Sequence, residues 1–259
     1  MDGQPGPFGR LTTFTKSISN GILAGDHKNV EVTPLTNRAF RSTRGLTGGL
    51  AFLLIGALAT AGLSGCGAPA YTYVADSSAG AYYKVPSEWH QISTKDLNAA
   101  IKAAGGSSAG IWTTAFDANT TPSVDHNGSI DLTQPYVSAQ VLALSETGTN
   151  ELSYDAMRDI WLPVTSSARQ SAASEGFSGT NFTQSRDQMI SGKQGVHGVR
   201  ETFQYTLGAQ TDTFDMEVLT NADQTELYLL QVHCTQACYT KYQNNINTVM
   251  SSFTVGSPT

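Results

Sequence analysis

The chain has 259 residues, of which 39% are hydrophobic and 14% charged, and its formal net charge is −6. Six basic and three acidic residues precede Cys66, so the nine basic and eighteen acidic residues after it give the downstream part a formal charge of about −9. That balance excludes nucleic acid and an anionic membrane face as its partners, because a phosphate-binding surface needs clustered Lys and Arg and no such cluster follows Arg44.

Residues 1–45 are rich in Gly, Thr, Asn and Pro, with apolar residues at no helical or strand period, and are expected to be disordered. Residues 46–66 differ. No residue from Leu46 to Leu63 is charged, and Arg38, Arg41 and Arg44 precede the run, the order of a basic region followed by the apolar core of an export signal. The run ends in Leu63-Ser64-Gly65-Cys66, the pattern of a bacterial lipobox, in which small residues admit the signal peptidase and the Cys thiol takes up the lipid. Cys66 is therefore the expected lipidation site. An uncleaved signal-anchor helix is the alternative, since about 20 apolar residues cross a bilayer. A buried core helix is disfavoured because the run has no polar face. Lipoprotein and anchor share one outcome: positive charge stays on the cytoplasmic side, so the rest of the chain lies on the extracytoplasmic face of the cell membrane. The long stretch ahead of the basic region fits a translation start further downstream or a true cytoplasmic tail, and the second would favour the uncleaved span.

Residues 67–81 are small, polar and aperiodic, and are expected to act as a flexible tether. The folded domain is expected over residues 82–256. It opens with "YYKVPSEWHQIS", a strand that ends at Pro86 and continues past Trp89, with Tyr82 and Tyr83 on opposite sides. Ser93-Thr94-Lys95-Asp96 is a capping box ahead of "LNAAIKAA", and Gly105-Gly106 stops that helix. "GIWTTAFDA" and "PYVSAQVLALS" read as strands separated by a turn-rich segment. Ser153 is the N-cap of a second helix with Tyr154, Met157, Ile160 and Trp161 on one face before Pro163. Val199, Phe203, Tyr205 and Leu207 share one strand face, as do Phe214, Met216 and Val218 in the next run. "ELYLLQVHC" is apolar on both faces, as a central strand is, and "TNADQT" joins it to its predecessor as a hairpin. Tyr242, Ile246, Val249, Met250 and Phe253 fall at helical spacing and should lie across the sheet. Strands and helices grouped in runs, with hairpins, predict an α+β fold: a mainly antiparallel sheet with flanking helices, an α-β-α sandwich.

With Val85, Pro86 and Trp89 at its start and Ser252 and Phe253 at its end, the domain resembles actinobacterial lipoproteins of the PsbP/Mog1/LpqN-like group. The resemblance implies a sandwich used for binding and carries over no catalytic residue.

Few constellations carry chemistry. Cys234 and Cys238 are the only cysteines after Cys66, and in an exported domain they are expected to form a disulfide that pins a helix to its strand. A metal site with His233 lacks further ligands nearby, and no metal is expected. Gly106-Ser107-Ser108-Ala109-Gly110 matches the G-x-S-x-G nucleophile elbow, but the order around it is helix then strand, the reverse of what the motif requires. His90, His126, His197 and His233 are scattered. No P-loop, G-x-G-x-x-G or S-x-x-K occurs after the tether, so no cofactor is expected. Tyr71 and Tyr73 in the tether have no evident role. The leading expectation is a lipid-anchored, non-catalytic domain that binds an envelope protein or component. The alternatives are an exported hydrolase using Ser108, and an external sensor domain on a membrane span.

Overall fold

The computed structural model describes residues 69–256. The expected N-terminal disorder, the apolar run and Cys66 lie outside the described residues. Among the described residues, no helix is long and apolar enough to cross a membrane.

Two antiparallel sheets organise the domain. β1 (Tyr71–Asp76), β2 (Ala81–Pro86) and the short β10 (Thr254–Val255) form a three-stranded sheet in the order β1-β2-β10. The larger sheet contains β3 (His90–Gln91), β4 (Ile111–Asp117), β5 (Tyr136–Ala143), β6 (Thr180–Ser191), β7 (His197–Leu207), β8 (Gln210–Thr220) and β9 (Glu226–Thr235), in the order β3-β4-β5-β9-β8-β7-β6. β9 is fourth of seven and buries side chains on both faces, as apolar residues at both odd and even positions require.

Alternation along the strands sorts the core into two layers. Val199, Phe203 and Tyr205 of β7 and Phe214, Met216 and Val218 of β8 face Met157, Leu162 and Val164. Register sets Phe203 opposite Phe214, with their rings stacked at 5.3 Å. On the other face, Val137, Leu219, Leu230 and Val232 meet Ala81, Tyr83 and Val85 of β2 together with Ile246, Val249 and Met250. Those last three belong to α5 (Gln236–Ser251), which lies across the sheet as its periodicity predicts. Each such fully buried side chain stabilises the packing by about 1.5–3 kcal/mol relative to exposure.

Local capping follows the sequence closely. α1 (Thr94–Ala103) begins where the Ser93 Oγ accepts the Asp96 amide at 3.1 Å and donates to Asp96 Oδ2 at 2.6 Å. It ends where Gly105 takes a φ of 80° and the Gly106 amide returns to Ile101 O at 2.9 Å, the left-handed stop that glycine supplies. The residues that carry the family resemblance are braces. Trp89 is buried, and Ser252 Oγ accepts the Lys84 amide at 3.0 Å while donating to Val249 O at 2.7 Å, tying the end of α5 to β2.

Three features differ from expectation. The segment expected as tether contains β1, whose residues pair one by one with β2 from Tyr71↔Pro86 to Asp76↔Ala81; backbone pairing along the whole strand gives the order that its side chains do not signal. Tyr71 also lies beneath the Lys84 ammonium at 4.7 Å, whereas Tyr73 is exposed. The helix capped by Ser153, α3 (Tyr154–Arg158), stops earlier than expected. There the Asp159 carboxylate accepts the Val164 and Thr165 amides at 2.7 and 2.8 Å and the Thr165 hydroxyl at 2.6 Å, which turns the chain before Ile160 and Trp161 can continue the helix. Two more helices flank it, α2 (Glu146–Glu151) and α4 (Ser166–Ser174).

Cys234 and Cys238 form a disulfide with their Cα atoms 5.9 Å apart. It joins the end of β9 to the first turn of α5, as expected.

Candidate functional site

The chemical groups singled out in the sequence prove to be separate and mostly structural. Ser108 lies in an exposed loop between α1 and β4, where Ser107 Oγ accepts the Ala109 amide at 3.2 Å and Gly110 has a φ of 73°. This is a polar turn, and it lacks the strand-to-helix geometry of a nucleophile elbow. Asp117 is buried and accepts His126 Nδ1–H at 2.6 Å and the amides of Asn119 and Ser123 at 2.9 and 3.0 Å. The pair thereby clasps the loop that follows β4. His233 is buried, stacks on Phe214 at 5.5 Å, and its imidazole is pushed down to about 4 by burial. It is a neutral core residue. His197 Nδ1 donates to Gly195 O at 2.9 Å, which fixes the turn ahead of β7. His90 stands in the two-residue β3, exposed. Among the described residues, no group of three or more His, Cys, Asp or Glu is placed to hold a metal ion.

A cleft that no motif announced lies at the end of the sheets away from Tyr71. It has two adjoining lobes of about 370 and 400 Å³ that share Ser78, Ala79 and Glu226. The turn between β1 and β2 forms one wall. There the Asp76 carboxylate accepts the Ser78 hydroxyl at 2.5 Å and the amides of Ser78 and Ala79 at 2.8 and 3.0 Å. These bonds, the Ser78 hydroxyl foremost, hold its carboxyl below the usual range, with a smaller contribution from the Trp112 indole. Gly80 turns the chain with a φ of 64°, and its carbonyl accepts the Gly256 amide at 2.9 Å.

The turn between β8 and β9 forms the opposite wall. Asn221 Oδ1 accepts the amides of Thr225 and Glu226 at 2.9 and 3.2 Å, and its Nδ2 donates to Thr225 Oγ1 at 2.8 Å. Glu226 Oε2 in turn accepts the Tyr228 hydroxyl at 2.6 Å, and burial raises that phenol well above its ordinary value. Gln194 reaches in from the loop before β7 with a φ of 56°, and Gln224 on the opposite turn has a φ of 52°. Of the three non-glycine residues with positive φ among the described residues, these two flank the cleft. Held backbone strain of this kind gathers at working sites. Between them Gly195 packs so closely on Ala222 that a Cβ there would stand 2.6 Å from the alanine Cβ.

The lobes differ in chemistry. The first is polar, lined by Ser77, Gln194, Asn221, Asp223 and Glu226. The second has an apolar wall of Ile111, Trp112, Val141 and Ala143. Neither is lined by a histidine, cysteine, lysine or arginine, and the Ser78 hydroxyl is taken up by the Asp76 carboxylate that fixes its turn. The arrangement suits non-covalent recognition. A broader depression of about 610 Å³ lies by the turn between β7 and β8, near Asp212, whose carboxyl is pushed up to about 7 by burial and by Asp131. Its lining of Asp131 with Thr, Gln and Ala offers no aromatic surface.

No protein-family model and no curated protein matches the sequence. Solved structures similar to the chain include those with the PsbP, Mog1 and LpqN folds. The cyanobacterial PsbP of Synechocystis sp. PCC 6803 is 16% identical, with 76% of this chain and 99% of that one covered and a TM-score of 0.43. The Saccharomyces cerevisiae Ran-binding protein Mog1p is 8% identical over 71% of this chain and 95% of its own, with a TM-score of 0.40. LpqN, described as involved in cell envelope biogenesis of Mycobacterium tuberculosis, is 15% identical over 73% and 91% respectively, with a TM-score of 0.39.

Proposed function

We propose that the protein is a lipid-anchored extracytoplasmic binding module, without catalytic activity, held to the cell membrane through Cys66 and taking its ligand in the two-lobed cleft. The observation that carries the reading is the cleft itself: a rigidly braced recess with an apolar wall facing a polar rim, lined by no histidine, cysteine, lysine or arginine. This is the lining expected of a small-ligand site. The basic, apolar and Leu63-Ser64-Gly65-Cys66 sequence supports the anchor, and the Cys234–Cys238 disulfide supports an oxidising compartment. The charge of the exported part supports partners other than nucleic acid.

The test is a Cys66→Ser variant in a bacterial host fed a labelled fatty acid. The wild type should take up label and fractionate with membranes, while the variant should lose the label and be released or mis-processed. Membrane retention of an unlabelled wild type would replace the lipid anchor with an uncleaved span. A serine-reactive fluorophosphonate probe should leave Ser108 unmodified, and specific labelling there would overturn the non-catalytic reading.

A further inference from the structure

We infer that the cleft binds a neutral carbohydrate chain, with Trp112 as the surface on which a sugar ring stacks and Glu226 at the junction of two ring sites. This deepens the binding-module reading and rests on it. A pyranose presents one face of C–H groups and a rim of hydroxyls, each of which both donates and accepts. A site for it needs a flat apolar wall beside carboxylates and amides that take up those hydroxyls.

The cleft supplies both within one recess. The indole of Trp112, with Val141 next to it in the register, forms the wall of the second lobe. Asp223 and Glu226 provide acceptors in the first, and the Gln194 amide and the Ser77 hydroxyl provide both donors and acceptors. Each lobe falls within the range of about 300–1,000 Å³ typical of small-ligand sites. Two lobes joined at Glu226 accommodate at least two consecutive rings, so the ligand is an oligosaccharide or the end of a polysaccharide.

The same lining argues against other classes. Two carboxylates and no lining Lys or Arg repel phosphates, sulfates and uronic acids. A wholly apolar ligand would strip water from Ser77, Gln194 and Asp223 without replacing their hydrogen bonds. Preorganisation favours binding as well, because Asp76 and Asn221 have already fixed the two turns and little conformational entropy remains to be lost.

The experiment uses the full chain in a polyoxyethylene detergent without sugar headgroups. It is titrated with short neutral glucan, mannan, galactan, arabinan and chitin oligosaccharides, followed by tryptophan fluorescence and calorimetry. At least one should bind saturably, with an affinity unchanged between low and high salt. Trp112→Ala should weaken it by about tenfold or more, the scale of an aromatic anchor. Because Trp112 also packs against the core, Ser77→Trp serves as a second variant: it fills the first lobe from the exposed turn and should abolish binding while leaving the thermal midpoint unchanged. Failure of every oligosaccharide to bind would overturn the inference, as would binding that survives Ser77→Trp. Salt-sensitive binding of a quaternary ammonium probe in place of sugars would assign the cleft to cations instead. If sugars fail while Cys66-dependent anchoring and the absence of Ser108 labelling hold, the ligand class is wrong and the anchored binding module stands.

Discussion

Replacing Glu201 by Gln should stabilise the protein, and the gain should depend on pH. Glu201 is fully buried on β7, opposite Met216 and among Val199, Phe203 and Met157. One carboxyl oxygen accepts Gln184 Nε2–H at 3.2 Å and the other, Oε1, has no partner among the described residues. Burial first, and then the Asp187 carboxylate, push its carboxyl from 4.5 up to about 8, against a smaller opposing pull from Arg158. Near pH 7 the unfolded chain has lost this proton and the folded chain keeps it, so folding must take up a proton, at a cost of about 3 kcal/mol. The stabilising protonated form is therefore fully present below the unfolded value, and its contribution is lost as pH rises through the folded one. Gln keeps the shape and the acceptor for Gln184 without needing a proton. Allowing for its own imperfectly paired amide, a net gain of about 1–3 kcal/mol is expected near pH 7. At this size that raises the thermal midpoint by roughly 2–4 °C per kcal/mol. Calorimetric melts of wild type and E201Q across the acid-to-neutral range test this. The two curves should converge near the unfolded carboxyl value and separate as pH rises. A difference that is constant with pH, or a variant that is less stable throughout, would refute the reasoning and make Glu201 an ionised acceptor.

Two further outcomes concern the sheet. Closing a loop as short as the one between Cys234 and Cys238, four positions apart, contributes about 2 kcal/mol, so reduction should lower the thermal midpoint by a few degrees without unfolding the domain; alkylation of both thiols without reductant would show that the bond is absent. Gly198 lies on β7 where an added Cβ would stand 1.9 Å from Val218 O. A backbone oxygen in a paired strand cannot move aside, so Gly198→Ala should cost about 3 kcal/mol or more and appear as loss of soluble, cooperatively melting protein, whereas a midpoint within a degree of wild type would contradict the close approach.

What the sequence disclosed of this fold follows from where side chains meet other side chains. β7 and β8 alternate because one face of each meets Met157 and Leu162, and β9 carries apolar residues on both faces because it is covered twice. β6 shows the opposite case. It is twelve residues long, but it is an edge strand whose side chains are mostly exposed, so nothing selects an apolar period and only backbone pairing to β7 defines it. β1 carries no apolar period for the same reason, since its order comes from its register with β2.

The cleft was hidden by a different cause. Its residues come from several separate segments, and each already has a local explanation: Asp76 and Asn221 as turn formers, Gln194 and Gly195 as a tight loop, Trp112 as a strand residue. Those explanations stay true in the folded protein, where the side-chain bonds that stop β1 and restart β9 are also what brace the two walls. Recognition chemistry arises here from turn chemistry brought together by sheet order, since β9 must lie beside β5 for Glu226 to stand near Ala143 and share a recess with Trp112. That adjacency is a non-local pairing between strands far apart in the chain, which no local pattern in either segment encodes. A neutral carbohydrate reader built in this way has no motif, only a geometry, and Trp112 becomes visible as its stacking surface once β4, β5 and β9 are placed side by side.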